Sequence, residues 1–436
     1  MNTKDAIYDV KELGMGKILM LGLQHMFAMF GATVLVPILT GLDVSTTLLF
    51  AGLGTLLFHF VTKGKVPAFL GSSFAFLGGY GAIAPLLADG SSNVEMIPYA
   101  CFGVMCAGLV YVVFSALIKV FSAQKVMSFF PPIVTGPIII AIGLTLSKTA
   151  IDNCTTNWLV ALVAICVVII CNIYGKGMIK IIPILLGVIA SYAAGICMGE
   201  VDFTPVKDAA WLGFPIHREM TIFALFGENF DGAKLFASVL TIMPIALATI
   251  VEHVGDISAI SSTTGKNYIK DPGLHRTMLG DGLATMLSSA FGGPANTTYG
   301  ENTGVLNLSK VFDPAVVRLA AVFAIAFSFC PKIASVIQVM PQATVGGISL
   351  ILYGMISAVG LRNVVENQVD FTKSRNVIIA ALILVLSIGV HYREGGAIIY
   401  QLGEITIRLS GIAAGALAGI VLNAILPEKD FQFEVM

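Results

Sequence analysis

Gly292-Gly-Pro-Ala-Asn-Thr-Thr-Tyr-Gly-Glu-Asn-Thr-Gly304 is the stretch on which the fold turns. It lies between long apolar runs, so it belongs at membrane depth. Its glycine, proline and small hydroxyl residues nevertheless make a poor helix. An earlier stretch has the same character: Gly64-Lys-Val-Pro-Ala-Phe-Leu-Gly-Ser-Ser-Phe-Ala-Phe-Leu-Gly-Gly-Tyr-Gly81. Extended backbone inside a bilayer finds no water and needs partners within the protein. The two stretches can satisfy each other by pairing as short antiparallel strands. Each would then open a half-helix whose N-terminal amides point at the midplane. Two kinked helices packed through small residues are the alternative; the carboxylate of Glu301 weighs against it.

Composition agrees with membrane depth. The chain has 436 residues, 56% hydrophobic and only 12% charged, with mean hydropathy +0.89. Lipid can solvate that much apolar surface, whereas a soluble fold cannot hide it. A net charge of -1 leaves no electrostatic footprint for nucleic acid. The seven cysteines lack metal-ligand spacing and read as apolar packing residues. Met1 to Gly16 lacks the pattern of a cleaved signal peptide, so the first span is expected to insert uncleaved.

Runs of about 20 apolar residues fall at 17-41, 46-62, 66-87, 97-118, 130-147, 157-174, 181-199, 234-257, 274-291, 294-309, 314-337, 341-361, 375-391 and 405-426. With fourteen spans and a cytoplasmic N-terminus, all the basic residues except Lys148, Lys207, Arg218, Lys234, Lys332, Arg393 and Arg408 fall on the cytoplasmic side. Lys4 and Lys429 are among those inside. That bias obeys the positive-inside rule and puts both termini in the cytoplasm. Residues 200-233, between spans seven and eight, read as an external connector.

The halves echo each other. Gln24-His25 matches Glu252-His253, Pro67 matches Pro294, and Pro131, Gly136 and Ile138 match Pro341, Gly346 and Ile348. Seven spans per half force opposite orientations, so the expected fold is an all-α polytopic membrane protein with a 7+7 inverted repeat. Its exceptions are the short antiparallel β-strands in segments 3 and 10.

Carboxylates at the bilayer centre are costly and are functional hypotheses by default. Glu252, Asp256 and Glu301 sit well inside the spans, with His25, His253 and His59 as polar company. Glu252 and Asp256, at i,i+4, share a helix face. Two carboxylates that close favour a shared proton, which a proton-coupled carrier needs. Asp256 as a solvated cap at the cytoplasmic mouth is the blander reading. Gly300 lets a ligand approach the backbone, Glu301 can accept N–H bonds from a heterocycle, and Phe74 can stack on a flat ring. His25 and His253 lack the further ligands a zinc site requires. No metal and no cofactor is expected, the coupling ion being H+.

At these residues the chain resembles the nucleobase/ascorbate transporters, most of all the members that carry uracil. The likeness rests on Gln24-His25 with Phe30-Gly31-Ala32-Thr33; on Pro67 to Phe76; on Glu252-His253-Val254-Gly255; on Asp271-Pro272-Gly273-Leu274-His275-Arg276; and on Asn296 to Gly304. It implies a core domain of spans 1-4 and 8-11 (17-120 and 234-338) and a gate domain of spans 5-7 and 12-14 (121-199 and 339-427). It also implies a homodimer in the cytoplasmic (inner) membrane and proton-coupled import of uracil by an elevator movement. Carried over by motif, Glu252, Glu301, Phe74, Gly300, Tyr299, Ala32 and Tyr353 would bind the base. Glu252, Asp256 and Glu301 would handle the proton; Gln24, His25, His253 and Asn302 would support. Asp256 stands where some uracil carriers have histidine, a purine-carrier trait, while Glu301 is a uracil-carrier trait. A xanthine or purine permease is thus the alternative, and an anion transporter of the same plan a more remote one.

Overall fold

The computed structural model describes residues 6–87, 89–227, 230–393, 396–402 and 405–427. Lys4 and Lys429, counted above among the cytoplasmic charges, lie outside them. The chain is mainly helical: α1 (Met15–Thr40), α2 (Val44–Val61), α3 (Leu77–Ile83), α4 (Ile97–Phe121), α5 (Ala123–Met127), α6 (Pro132–Cys154), α7 (Trp158–Tyr174), α8 (Met178–Ile181), α9 (Pro183–Cys197) and α10 (Thr204–Asp208) form the first half. The second half holds α11 (Gly232–Ile242), α12 (Ala246–Thr264), α13 (Leu274–Ala290), α14 (Gly300–Ser309), α15 (Pro314–Ser328), α16 (Pro331–Gln338), α17 (Gln342–Glu366), α18 (Ser374–His391) and α19 (Gly411–Ile425). Among the described residues, seven helical stretches are long and apolar enough to cross a membrane alone, or eight if the bent α15–α16 pair counts as one. The chain is therefore a multi-pass membrane protein.

Helix starts follow from local chemistry. Asp43 accepts the Thr46 amide at 2.6 Å and opens α2, and Asp313 accepts the Ala315 amide at 2.8 Å and opens α15. Each carboxylate satisfies an amide the helix leaves unpaired. Proline sits in the first turn of α6, α9, α15 and α16, where its missing N–H costs nothing. Pro131 and Pro341 precede α6 and α17 in the same way.

The two broken stretches pair as expected. β1 (Leu70–Ser72) and β2 (Asn296–Thr298) run antiparallel, with Leu70 opposite Thr298, Gly71 opposite Thr297 and Ser72 opposite Asn296. Threonines from flanking helices satisfy the outer edges. Thr55 of α2 accepts the Leu70 amide at 2.9 Å and donates to its carbonyl at 3.2 Å. Thr285 of α13 does the same for Asn296, at 3.1 and 3.0 Å. One hydroxyl per strand thus replaces the water that lipid withholds.

α1, α2, α4, α13 and α15 pack together around this strand pair, and α6, α7, α9, α17, α18 and α19 pack with one another. Small residues let backbones touch in the second group: a methyl at Gly360 would lie 2.6 Å from the Gly136 carbonyl oxygen.

Several span boundaries differ from expectation. The run 314-337 is not one straight helix, because the chain turns by 85° between α15 and α16. Pro331 starts the new direction. The run 405-426 opens with strand: β3 (Ala397–Leu402) and β4 (Ile405–Ser410) form a hairpin, and the helix begins only at Gly411. The run 234-257 is broken at Met243-Pro244-Ile245, and its second part continues to Thr264.

Candidate functional site

The strand pair delivers two helix N-termini to one place. After β1 a tight turn at Phe74–Phe76 leads into α3; after β2, Tyr299 leads directly into α14. The first turn of each helix carries unpaired amides. Glu301 lies in the first turn of α14, where a carboxylate suits the positive end of the helix dipole.

α12 supplies the facing carboxylates. Glu252 lies within electrostatic reach of Glu301. Asp256 is one turn further along and accepts the Thr298 hydroxyl at 2.7 Å. That bond ties α12 to β2. Because α12 continues two turns beyond it, Asp256 is part of the interior constellation and not a solvated cap at the helix end. Glu252, Asp256, Glu301 and Phe74 are half-buried, whereas Gly255 and Gly300 are exposed. A methyl placed on Gly300 or Gly255 would meet nothing within 4 Å. The acids and the two glycines therefore border open space beside the strand pair.

The other expected residues take distinct places. Phe74 presents its edge to Tyr353 of α17, with ring centroids 6.2 Å apart and planes at 75°. This contact joins the two helix groups beside the carboxylates. Ala32 of α1 is fully buried in the apolar cluster that includes Tyr299 and borders Phe74. Tyr299 is also buried, and its hydroxyl donates to the Ser72 carbonyl at 2.8 Å while Thr33 lies at 3.3 Å. It pins α1 to the strands from behind. Asn302 of α14 donates to the His25 carbonyl at 3.0 Å and approaches its Nδ1 at 3.1 Å. Gln24 precedes it, half-buried. His59 bonds the Ala68 carbonyl at 2.8 Å, a structural role under β1.

One residue was overlooked. Asp281, in the middle of α13, is fully buried, with an oxygen 2.7 Å from His253 Nδ1. The other nitrogen of that ring lies 3.0 Å from the Thr277 hydroxyl. Phe58 and Tyr111 flank the ring edge-on. His253 thus hangs between an acid and a hydroxyl directly behind Glu252. The signal was present, since Asp281 is a charge in mid-span like the other three.

Such an arrangement offers hydrogen-bond acceptors and helix-end amides that a small polar molecule can use. Comparison with known proteins supplies the family. A model described as a permease family matches residues 16–394. The chain is 40% identical over 426 residues to a uracil permease of Bacillus caldolyticus, covering 95% of this chain and 93% of that one. It is 37% identical over 417 residues to the uracil permease of Escherichia coli (strain K12), covering 93% and 90%. Among solved structures, the transmembrane domain of a cyanobacterium bicarbonate transporter, BicA, superposes with TM-score 0.63 at 16% identity, covering 96% of this chain and 99% of that one. The murine anion transporter Slc26a9 in its inward-facing state gives TM-score 0.69 at 14% identity, covering 96% and 69%. At those identities the structures speak for the fold alone. The family match over most of the chain, with the motifs that carry the site, makes this protein a member of that permease family, the nucleobase/ascorbate transporters, and a membrane transporter, not an enzyme.

Proposed function

We propose that this permease imports uracil across the cytoplasmic membrane in symport with protons. What supports the reading is the open space at Gly300 in the first turn of α14, with Glu301 beside it and Glu252 within electrostatic reach; we take this space as the substrate cleft, with Phe74 on its border. A pyrimidine edge offers N–H donors and carbonyl acceptors side by side. Carboxylates take the first and helix amides the second, while Phe74 covers the ring face. The names of the relatives, uracil permeases, support the same substrate.

Proton coupling is our reading of the acid cluster. Glu252, Asp256 and Glu301 influence one another electrostatically, and close like charges favour holding a proton among them. Binding the base and a proton together neutralises the cluster, and losing both to the cytoplasm resets it. For movement we propose an elevator, with 17-120 and 234-338 as the moving core, 121-199 and 339-427 as the gate, and the connector at 200-233 between them. The separate packing of the two helix groups supports that division, as does the Phe74–Tyr353 contact between them. Fourteen crossings in a 7+7 inverted repeat, cytoplasmic termini and a homodimer complete the proposal. The paired threonine–strand arrangement supports the repeat.

Purified protein in proteoliposomes tests this. Labelled uracil should accumulate when the lumen is alkaline relative to the bath and stop when a protonophore collapses the gradient. Accumulation indifferent to the gradient would remove the proton; preference for xanthine would make it a purine carrier; bicarbonate or sulfate competing with uracil would revive an anion transporter.

A further inference from the structure

The connector between α9 and α11 carries several highly exposed large apolar side chains. Trp211, Leu212 and Phe214 are 73%, 82% and 71% exposed. Three adjacent bulky residues facing water would be a poor arrangement for a loop. Their position gives them another neighbour. The connector is laid along α16, because the Gly213 amide donates to the Phe329 carbonyl at 3.0 Å and the Lys332 amide donates to the Ala210 carbonyl at 3.2 Å. Glycine is needed at 213, since the ring of Pro331 occupies the space a side chain would take.

α16 leaves the end of α15 at 85°. α16 therefore lies nearly across the direction of α15. A second element is tied to the connector: the Thr46 hydroxyl, in the first turn of the apolar helix α2, donates to the Pro215 carbonyl at 2.5 Å. These contacts hold the connector level with the start of α2 and the end of α15. Tryptophan concentrates at the boundary between headgroups and acyl chains because its ring is apolar and its N–H is polar. Lysine reaches from it toward water. Here the Lys332 ammonium lies 4.9 Å from the centre of the Trp211 ring, pairing the two types at one spot.

We infer that the segment 210–214, seated on α16, is a lipid-contacting surface whose partner is the glycerol-backbone region of the phospholipids in the leaflet on its side. Trp211, Leu212 and Phe214 insert there, and Lys332 marks the headgroup level above Trp211. The segment acts as a float that fixes the depth of the α15 end. This goes beyond the transport reading, because it needs only that α2 spans the bilayer, whatever the substrate.

The chain has two tryptophans, Trp158 and Trp211, which makes the test direct. A Trp158→Phe variant is reconstituted in phosphatidylcholine vesicles with a nitroxide either just below the glycerol backbone or near the chain end. Trp211 emission should fall strongly with the shallow label and weakly with the deep one. Its quenching by aqueous acrylamide should be several-fold below that of free tryptophan. Strong acrylamide quenching with no lipid quenching would place the segment in water and overturn the inference. Protection from both quenchers would mean that protein covers it, which also overturns it. Should Trp158→Phe fold poorly, the difference in quenching between the unaltered chain and Trp211→Phe reports the same residue.

Discussion

Replacing Gly300 by alanine should leave the fold at least as stable while damaging substrate binding, a separation that few substitutions produce. Gly300 is the first residue of α14 and its backbone is ordinary helix. A methyl there meets no atom within 4 Å. Alanine is a better helix former than glycine by up to about 1 kcal/mol, less at a helix end. No clash offsets that gain. The same empty space is where the substrate ring must come close to the α14 amides. A methyl in a fitted pocket costs about 1–3 kcal/mol, which is roughly a five- to 150-fold loss of affinity. Gly71 on β1 provides the contrast. A methyl there would lie 2.8 Å from the Thr33 hydroxyl and press on the ring of Tyr299. Both groups are held, because the Tyr299 hydroxyl donates to the Ser72 carbonyl and the Thr33 hydroxyl donates to the Tyr299 hydroxyl, so Gly71→Ala should destabilise the protein by about 1–3 kcal/mol. Thermal unfolding of detergent-purified protein, with and without uracil, reads both effects. Gly300→Ala should unfold no earlier than the unaltered chain yet gain little from uracil, and Gly71→Ala should unfold earlier. A Gly300→Ala protein that binds uracil with undiminished affinity would refute the placement of substrate at the α14 N-terminus.

Other outcomes follow from the same geometry. Thr298→Val removes the hydroxyl on Asp256; such a bond contributes about 0.5–1.5 kcal/mol, so unfolding should come earlier and the pH profile of uptake should move. Asp281→Leu leaves the buried His253 Nδ1 without its acid and should destabilise by about 1–3 kcal/mol, with Asp281→Asn milder in the same unfolding assay. Asn302→Ala strips His25 of two contacts, and should cost about 1–3 kcal/mol by the same measurement. Cysteines at Gly31 of α1 and Ile184 of α9, which touch across the two helix groups, introduced after the seven native ones are replaced, should halt uptake when joined by a short reducible linker, and reduction should restore it. Continued uptake with the linker closed would contradict movement across that contact.

The strand pair was legible because two stretches shared a composition that neither helix nor lipid-exposed loop can use. The acid cluster was legible because Glu252, Asp256 and Glu301 interrupt apolar runs. Asp281 interrupts one as plainly, but its run also contains Thr277, Thr285, Ser288 and Ser289, and the single acid was lost in that general polarity. The bend at Phe329-Cys330 escaped notice because hydropathy sums over a window and carries no direction; only Pro331 marked it. The β3–β4 hairpin failed for a similar reason. The run from Ile405 to Leu409 counts as apolar on average, although it alternates Ile405-Thr406-Ile407-Arg408-Leu409 with the period of a strand. The partners of Tyr299 were beyond reach, since Ser72 and Thr33 lie far from it in sequence and only the pairing of β1 with β2 unites them.

A structure of the protein solved with uracil bound tests the central claim most directly. The ring should lie in the cleft against Phe74, with its N–H edge on Glu252 and Glu301 and a carbonyl on the amides at the start of α14. Uracil seated elsewhere, or a cleft in which Glu252 and Glu301 turn away from the ring toward lipid, would contradict it.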